Sequence, residues 1–251
     1  MSYKKEYELG LEDIGAGNIA TDIAILKKLE EIAERNSYEV GFGLEHLAYT
    51  NKAWLLLDWK VEIYKRPKYK DKISVETWST KMERCYGYRD FEVYSEENEL
   101  LAKGSSKWVM IDIEKRRPIR INEEDALKYA VYDKGYTVFE SDIEKMDEPK
   151  DEELKLVKEY EIRRKDIDAN KHVNNIVYLE LAFETIPYEI YNEKMFDNVR
   201  ITYKKEIRYG ENVKCYYTYK ENKHIVTIKS NDFDENGVII SEKTNAIVEL
   251  Y

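Results

Sequence analysis

Two stretches of this chain line up at a fixed distance, and each leads into the same order of elements. Asp13-Ile14-Gly15-Ala16-Gly17-Asn18-Ile19-Ala20 aligns with Asp166-Ile167-Asp168-Ala169-Asn170-Lys171-His172-Val173 at an offset of 153. Further on, Tyr69 and Ile73 align with Tyr209 and Val213 at an offset of 140, so the first half carries 13 extra residues between the anchors. With 251 residues available, such a repeat favours two domains of about 100–150 residues, each able to bury its own core, over one large domain. The copies differ in chemistry. Gly15, Gly17 and Ile19 stand where the second copy has Asp168, Asn170 and His172, and Arg66 stands in place of Glu206.

The repeated order is a helix followed by strands. Ile19, Ile23, Leu26, Leu29, Ile32 and Ala33 recur at spacings of three and four, with Lys27, Lys28, Glu30, Glu31 and Glu34 between them, which predicts an amphipathic helix. Alternation takes over at Trp59-Val61-Ile63 and Ile73-Val75-Thr77. It continues through Tyr88 to Tyr94 and Leu100 to Ile111, around a polar turn at 95–99. In the second half Ile176, Val177, Leu179, Phe183 and Ile186 predict a helix stopped by Pro187. Strands are then expected at Arg200 to Tyr203, Val213 to Tyr219, Ile225 to Ser230 and Val238 to Leu250, parted by turns at 221–223 and 232–237. The boundaries expected are a first domain over 1–122, a linker with some helix over 123–156 and a second domain over 157–251. The fold class is α+β.

Composition narrows the function. Charged residues (37%) are interspersed with hydrophobic ones (43%), so the chain is globular rather than disordered. Its 22 tyrosines suit half-buried strands, where the ring packs inward and the hydroxyl reaches water. A net charge of −10 argues against bulk attraction to nucleic acid. No apolar run approaches the ~20 residues that span a bilayer, so no membrane insertion is expected and the cytoplasm is the expected location. Cys85 and Cys215 lie in no metal-ligand spacing and are expected to be reduced, strand-borne and uninvolved in chemistry. No metal or cofactor is called for.

Asp168, Asn170 and His172 lie two apart on the approach to a helix whose first turn is Val173-Asn174-Asn175. That spacing can bring three polar side chains beside a helix N-terminus, where unpaired N–H groups favour an oxyanion. The arrangement suits acyl transfer. Equally, Asp168 and Asn170 can cap the helix while His172 is a packed ring.

Context decides between them, because the chain resembles the acyl-ACP thioesterase family over nearly its whole length. Asp168-Ala169-Asn170-Lys171-His172-Val173-Asn174-Asn175, followed by Tyr178 and Glu184, matches that family's D-x-N-x-H-V-N-N segment. Tyr203-Lys204-Lys205-Glu206 matches its Y-R-R-E segment, with the same 34 residues from His172 to Glu206. Residues 67–78, Arg89-Asp90 and Lys107-Trp108-Val109-Met110-Ile111 look like its other signature stretches. The resemblance implies two tandem hot-dog domains, each a long helix wrapped by an antiparallel sheet, with catalysis in the second and acyl-chain contacts largely in the first.

It also implies hydrolysis of fatty acyl-acyl carrier protein thioesters, with Asp168, Asn170, His172 and Glu206 catalytic and acyl carrier protein as partner. Those residue types are sensible, since a thiolate leaves without a strong acid and the barrier lies mainly in attack and oxyanion formation. Asp168 or Glu206 is expected as base or nucleophile, Asn170 and helix-start N–H groups at the carbonyl, and His172 organising charge. A papain-like set with cysteine directly after the glutamate is not available, because Ile207 stands there. His46 and His224 match no motif and are read as structural or solvent-facing. Arg163-Arg164-Lys165, Lys115-Arg116-Arg117 and Lys65-Arg66-Pro67-Lys68 are solvated faces or docking points for an acidic carrier. Alternatives are a hot-dog thioesterase acting on acyl-CoA and a non-catalytic acyl-binding module. Self-association into a homodimer stays open.

Overall fold

Helix α1 (Asp22–Glu39) begins at Thr21, whose hydroxyl accepts from the Ala24 N–H, 3.1 Å away. Of the apolar residues whose spacing predicted it, Leu26, Leu29, Ile32 and Ala33 are buried and Ile23 is half-buried, while Ile19 precedes the helix; Ala24 and Ile25 are buried as well. Such side chains contribute about 1.5–3 kcal/mol each when fully removed from water. They pack on an antiparallel sheet. Gly104 permits the approach, because a Cβ there would lie 3.2 Å from Leu29 Cδ1. The computed structural model describes residues 1–233 and 238–251 and divides into two units, Met1–Glu144 and Lys145–Tyr251.

In the first unit, strands β1 (Tyr3–Glu8), β2 (Lys52–Ile63), β3 (Lys72–Glu83), β4 (Tyr86–Ser95) and β5 (Leu100–Asp112) order as β1-β3-β4-β5-β2, all antiparallel, with short β6 (Arg117–Pro118) beside β5. Helix α2 (Leu47–Thr50) precedes β2 and helix α3 (Glu123–Ala130) follows the sheet. Trp59, Val75, Trp78 and Phe91 are fully buried, Trp59 and Phe91 with ring centroids 5.0 Å apart.

In the second unit, β7 (Lys155–Glu161), β8 (Asn198–Tyr203), β9 (Asn212–Lys220), β10 (Lys223–Phe233) and β11 (Ile239–Leu250) order as β7-β9-β10-β11-β8. This is the first unit's topology again, strand for strand. Helix α4 (Asn175–Phe183) carries Ile176, Val177, Leu179 and Leu181 into its core, and α5 (Tyr188–Glu193) comes next. Glu221 and Asn222, both with positive φ, make the two-residue turn between β9 and β10. The turn expected at 232–237 falls mostly outside the described residues, at 234–237.

The repeat is visible bond by bond. Gly15 N–H donates to Ile19 C=O (2.9 Å) as Asp168 N–H does to His172 C=O (2.8 Å). Ala20 N–H donates to Pro67 C=O (2.8 Å) as Val173 N–H does to Ile207 C=O (2.9 Å). The bridges Ile19↔Lys68 and His172↔Arg208 correspond too. The first half is longer in its helix, 18 residues in α1 against 9 in α4, and in the strand that follows, 12 residues in β2 against 6 in β8.

Two expectations shift. A long helix is found in the first unit, but the second unit's helix ends at Phe183, before Pro187, which supplies no N–H and caps α5 instead. The stretch 123–156 is not one connector: α3 and the residues through Glu144 belong to the first unit, and β7 starts at Lys155 in the second. No helix among the described residues is long and apolar enough to cross a membrane.

Candidate active site

The loop before α4 is shaped by one carboxylate. Asp168 Oδ1 accepts from the N–H groups of Asn170 (2.8 Å) and His172 (3.1 Å), and the Asp168 carbonyl accepts from Lys171 N–H (3.1 Å). Lys171 takes a left-handed conformation, φ 66°, that this bonding stabilises, as Asn18 does (φ 59°) at the matching place of the first unit. Asp166, buried below, accepts from Arg163 N–H and Tyr160 OH, while its carbonyl takes Asn174 N–H. The loop is therefore fixed at both ends.

His172 is delivered by this loop to the chain running out of β8. The His172↔Arg208 bridge and the Val173 to Ile207 hydrogen bond pair the two segments, and His172 Nε2 stands 3.2 Å from Glu206 Oε2. The side chains are 28% and 36% exposed, so water and a substrate reach both. Behind them Tyr178 is buried, which pushes its phenol above the usual range. A hydrogen bond with the Ile207 backbone opposes the shift, and nearby Glu206, Glu211 and Asp168 add to it. The Tyr203 ring meets Tyr178 edge-on at 5.3 Å and its hydroxyl donates to Asn175 C=O.

His172 and Glu206 thus meet directly, and Asp168 joins them through the backbone. Asn170 is exposed on the loop. The helix-start N–H groups expected at a substrate carbonyl are in part already engaged: Ile176 N–H donates to Asn174 Oδ1 (2.9 Å) and Val177 N–H to Asn174 C=O (3.0 Å). Among the described residues no group of three or more His, Cys, Asp or Glu stands together to hold a metal.

The first unit has the same scaffold without this pair. Arg66, in the place of Glu206, turns to Asp22 Oδ1 (2.9 Å) and Ala20 C=O (3.2 Å), with both charged side chains under 10% exposed. Arg66 is consequently no docking cation, and neighbouring Lys65 pairs with Glu99 at 2.6 Å. Arg163 and Lys165 lie 3.5 and 3.6 Å from Asp166, and Lys115 lies 3.7 Å from Asp112.

Family models decide the kinship. The acyl-ACP thioesterase N-terminal domain matches residues 1–129, and the acyl-ACP thioesterase C-terminal domain matches residues 149–247. The chain belongs to the acyl-ACP thioesterase family. Among relatives, oleoyl-acyl carrier protein thioesterase 2, chloroplastic, of Arabidopsis thaliana is 27% identical over 242 residues, covering 90% of this chain and 65% of that protein. The Coriandrum sativum oleoyl enzyme is 25% identical, covering 84% of this chain and 61% of its own. The chain spans somewhat under two thirds of the length of these curated relatives. Among solved structures, an acyl-ACP thioesterase from Bacteroides thetaiotaomicron superposes with a TM-score of 0.84 at 21% identity, covering 98% of this chain and 96% of that one. The 12:0-ACP thioesterase from Umbellularia californica gives 0.85 at 18% identity, covering 99% and 96%. The family's double hot-dog fold is the fold described above.

Other expectations are located by the structure. His224 is buried against Phe196, Tyr217 and Tyr219, and burial lowers its pKa, so it is structural. His46 packs edge-on against Tyr38. Cys215 is buried in β9, whereas Cys85, expected on a strand, lies in the turn between β3 and β4. Asn245, which no motif marks, contacts the Glu206 segment directly.

Proposed function

We propose that this protein hydrolyses fatty acyl-acyl carrier protein thioesters, releasing the free fatty acid and the carrier thiol, with the second unit catalytic and the first receiving the acyl chain. The observation that carries this reading is the His172–Glu206 pair at 3.2 Å in the second unit, set against the buried Arg66–Asp22 pair at the equivalent place of the first. An acyl-binding module has no need of a half-exposed histidine–carboxylate pair.

In the reaction, water adds to the thioester carbonyl carbon, the C–S bond breaks and the water's proton ends on the departing sulfur. Glu206 is the better-placed base. It faces His172 Nε2, while Asp168 Oδ1 is occupied by two backbone N–H groups. His172 orients Glu206 through their direct contact, and the exposed Asn170 side chain supplies a donor to the carbonyl oxygen. Asp168 shapes the loop that presents both.

The carrier is recognised by charge. Lys171 and Lys205, which adjoin His172 and Glu206, and Arg208, which bridges to His172, are exposed and have no acid side-chain partner among the described residues, in a chain of net charge −10. They form a local basic surround for a phosphopantetheine phosphate and an acidic carrier face. The cytoplasm is the proposed place of the activity. Rates on acyl-ACP and acyl-CoA bearing the same acyl group test the reading. Hydrolysis of acyl-ACP with the higher kcat/KM is expected. Charge reversal at Lys171, Lys205 and Arg208 together should lower kcat/KM on acyl-ACP by at least about tenfold at low salt and much less at high salt. Equal rates on both carriers, unmoved by the reversal, would instead favour a general acyl-CoA thioesterase.

A further inference from the structure

Asn245 lies in β11, 0% exposed, and is the extra residue of a bulge: Ile228 pairs with Ala246 and Lys229 with Thr244, leaving Asn245 unmatched on β10. On its other side, β11 stops pairing with β8 at Ala246↔Tyr203, one residue before the segment that carries Glu206. The bulge turns Asn245 onto that segment. Its carbonyl accepts from both Lys204 N–H (2.7 Å) and Lys205 N–H (3.2 Å), and its side-chain Nδ2 donates to the carbonyls of Lys205 (3.3 Å) and Glu206 (3.4 Å).

One residue thus holds the backbone of three successive residues, Lys204, Lys205 and Glu206, by four contacts. The amide orientation is chemically forced, because two carbonyl oxygens require the NH2 group and would repel Oδ1. Oδ1 is buried without a partner in this orientation. An apolar residue here would spare that acceptor but take the donor away from the Lys205 and Glu206 carbonyls. What the amide achieves is the placement of the 204–206 backbone.

From this we infer that Asn245 is a positioning residue for the Glu206 carboxylate, acting through the backbone and touching no substrate. The inference rests on the proposed part of Glu206 in hydrolysis. A displacement of about 1 Å at a reacting group costs up to about 10²-fold in rate, so loss of the clamp should appear in kcat rather than in binding.

The experiment compares Asn245→Ala, the isosteric Asn245→Asp, Glu206→Gln and the Asn245→Ala/Glu206→Gln double variant in the full chain, assayed on acyl-ACP with the fold monitored by circular dichroism. The expected result is a kcat lower by about 10–100-fold for both Asn245 variants, with KM within about threefold. Asn245→Ala should add no further loss in the Glu206→Gln background, which a general weakening of the fold would not reproduce. An impaired Glu206→Gln beside a fully active Asn245→Ala overturns this inference alone, as does a fully additive double variant. A fully active Glu206→Gln overturns the base assignment and this inference with it. Loss of the folded state in both Asn245 variants assigns the residue to the fold and overturns its positioning part.

Discussion

Asp168, Asn170 and His172 sit two apart in sequence, yet the loop uses them differently. Asp168 is turned to the backbone, Asn170 is exposed and His172 meets Glu206. The cysteines show how little a residue type says without its surroundings. Burial pushes the Cys215 thiol up to about 11, against a hydrogen bond with Thr185 that opposes the shift. Its reactive thiolate is therefore scarce at neutral pH. Cys85 is only half-buried in a turn. A maleimide at pH 8 should label Cys85 and leave Cys215 until urea unfolds the second unit. Cys85→Ser/Cys215→Ser should retain turnover within a few-fold. An inactive, folded cysteine-free variant would return a thiol to the mechanism.

At the scale of elements, the same loop, helix start and strand exit occur twice with different side chains on an almost unchanged hydrogen-bond scaffold. In the first unit the scaffold is closed by Arg66 and Asp22, the residue that opens α1. Removing one member of a buried ion pair strands the other, at a cost of about 3–5 kcal/mol, whereas removing both for apolar groups is often nearly neutral. Arg66→Leu should therefore lower the unfolding free energy of the first unit, read from urea denaturation, by an amount of that order. Arg66→Leu/Asp22→Leu should recover most of it. A single variant as stable as the parent would mean that the pair contributes nothing to closing the scaffold of the first unit.

For the molecule as a whole, the proposed division of labour places chain-length preference in the first unit. An apolar cavity there, under the start of α1, is lined by Ala24, Ile25, Pro67, Val93, Leu101 and Ala102. It holds space for about one water molecule, so Ala24→Leu should close it entirely. On a panel of saturated acyl-ACPs the optimum should move to shorter chains, with the best substrate still cleaved within about tenfold. His172→Ala should lower every rate by about 10²–10⁴-fold. An Ala24→Leu profile of unchanged shape would take this cavity out of acyl recognition.

Much of this was legible in the order of residues. The 153 and 140 offsets revealed the duplication because both copies keep the residues that their shared loop and bridges demand. Periods of 3.6 and 2 gave helix and strands because each element buries one face. The His172-to-Glu206 spacing marked two residues that the fold then brings together. Other features depended on three-dimensional pairing. Pro187 separates α4 from α5, and α4 already ends at Phe183, a point that apolar spacing alone ran past. Lys65 and Arg66 read as part of a basic surface, but a charge is neutralised by whatever partner folding brings to it, and Asp22 lies 44 residues away. Asn245 left no mark at all. Its importance comes from a bulge in one strand and the end of pairing in the next, and cross-strand register is settled by the packing of the whole sheet rather than by any local run of residues.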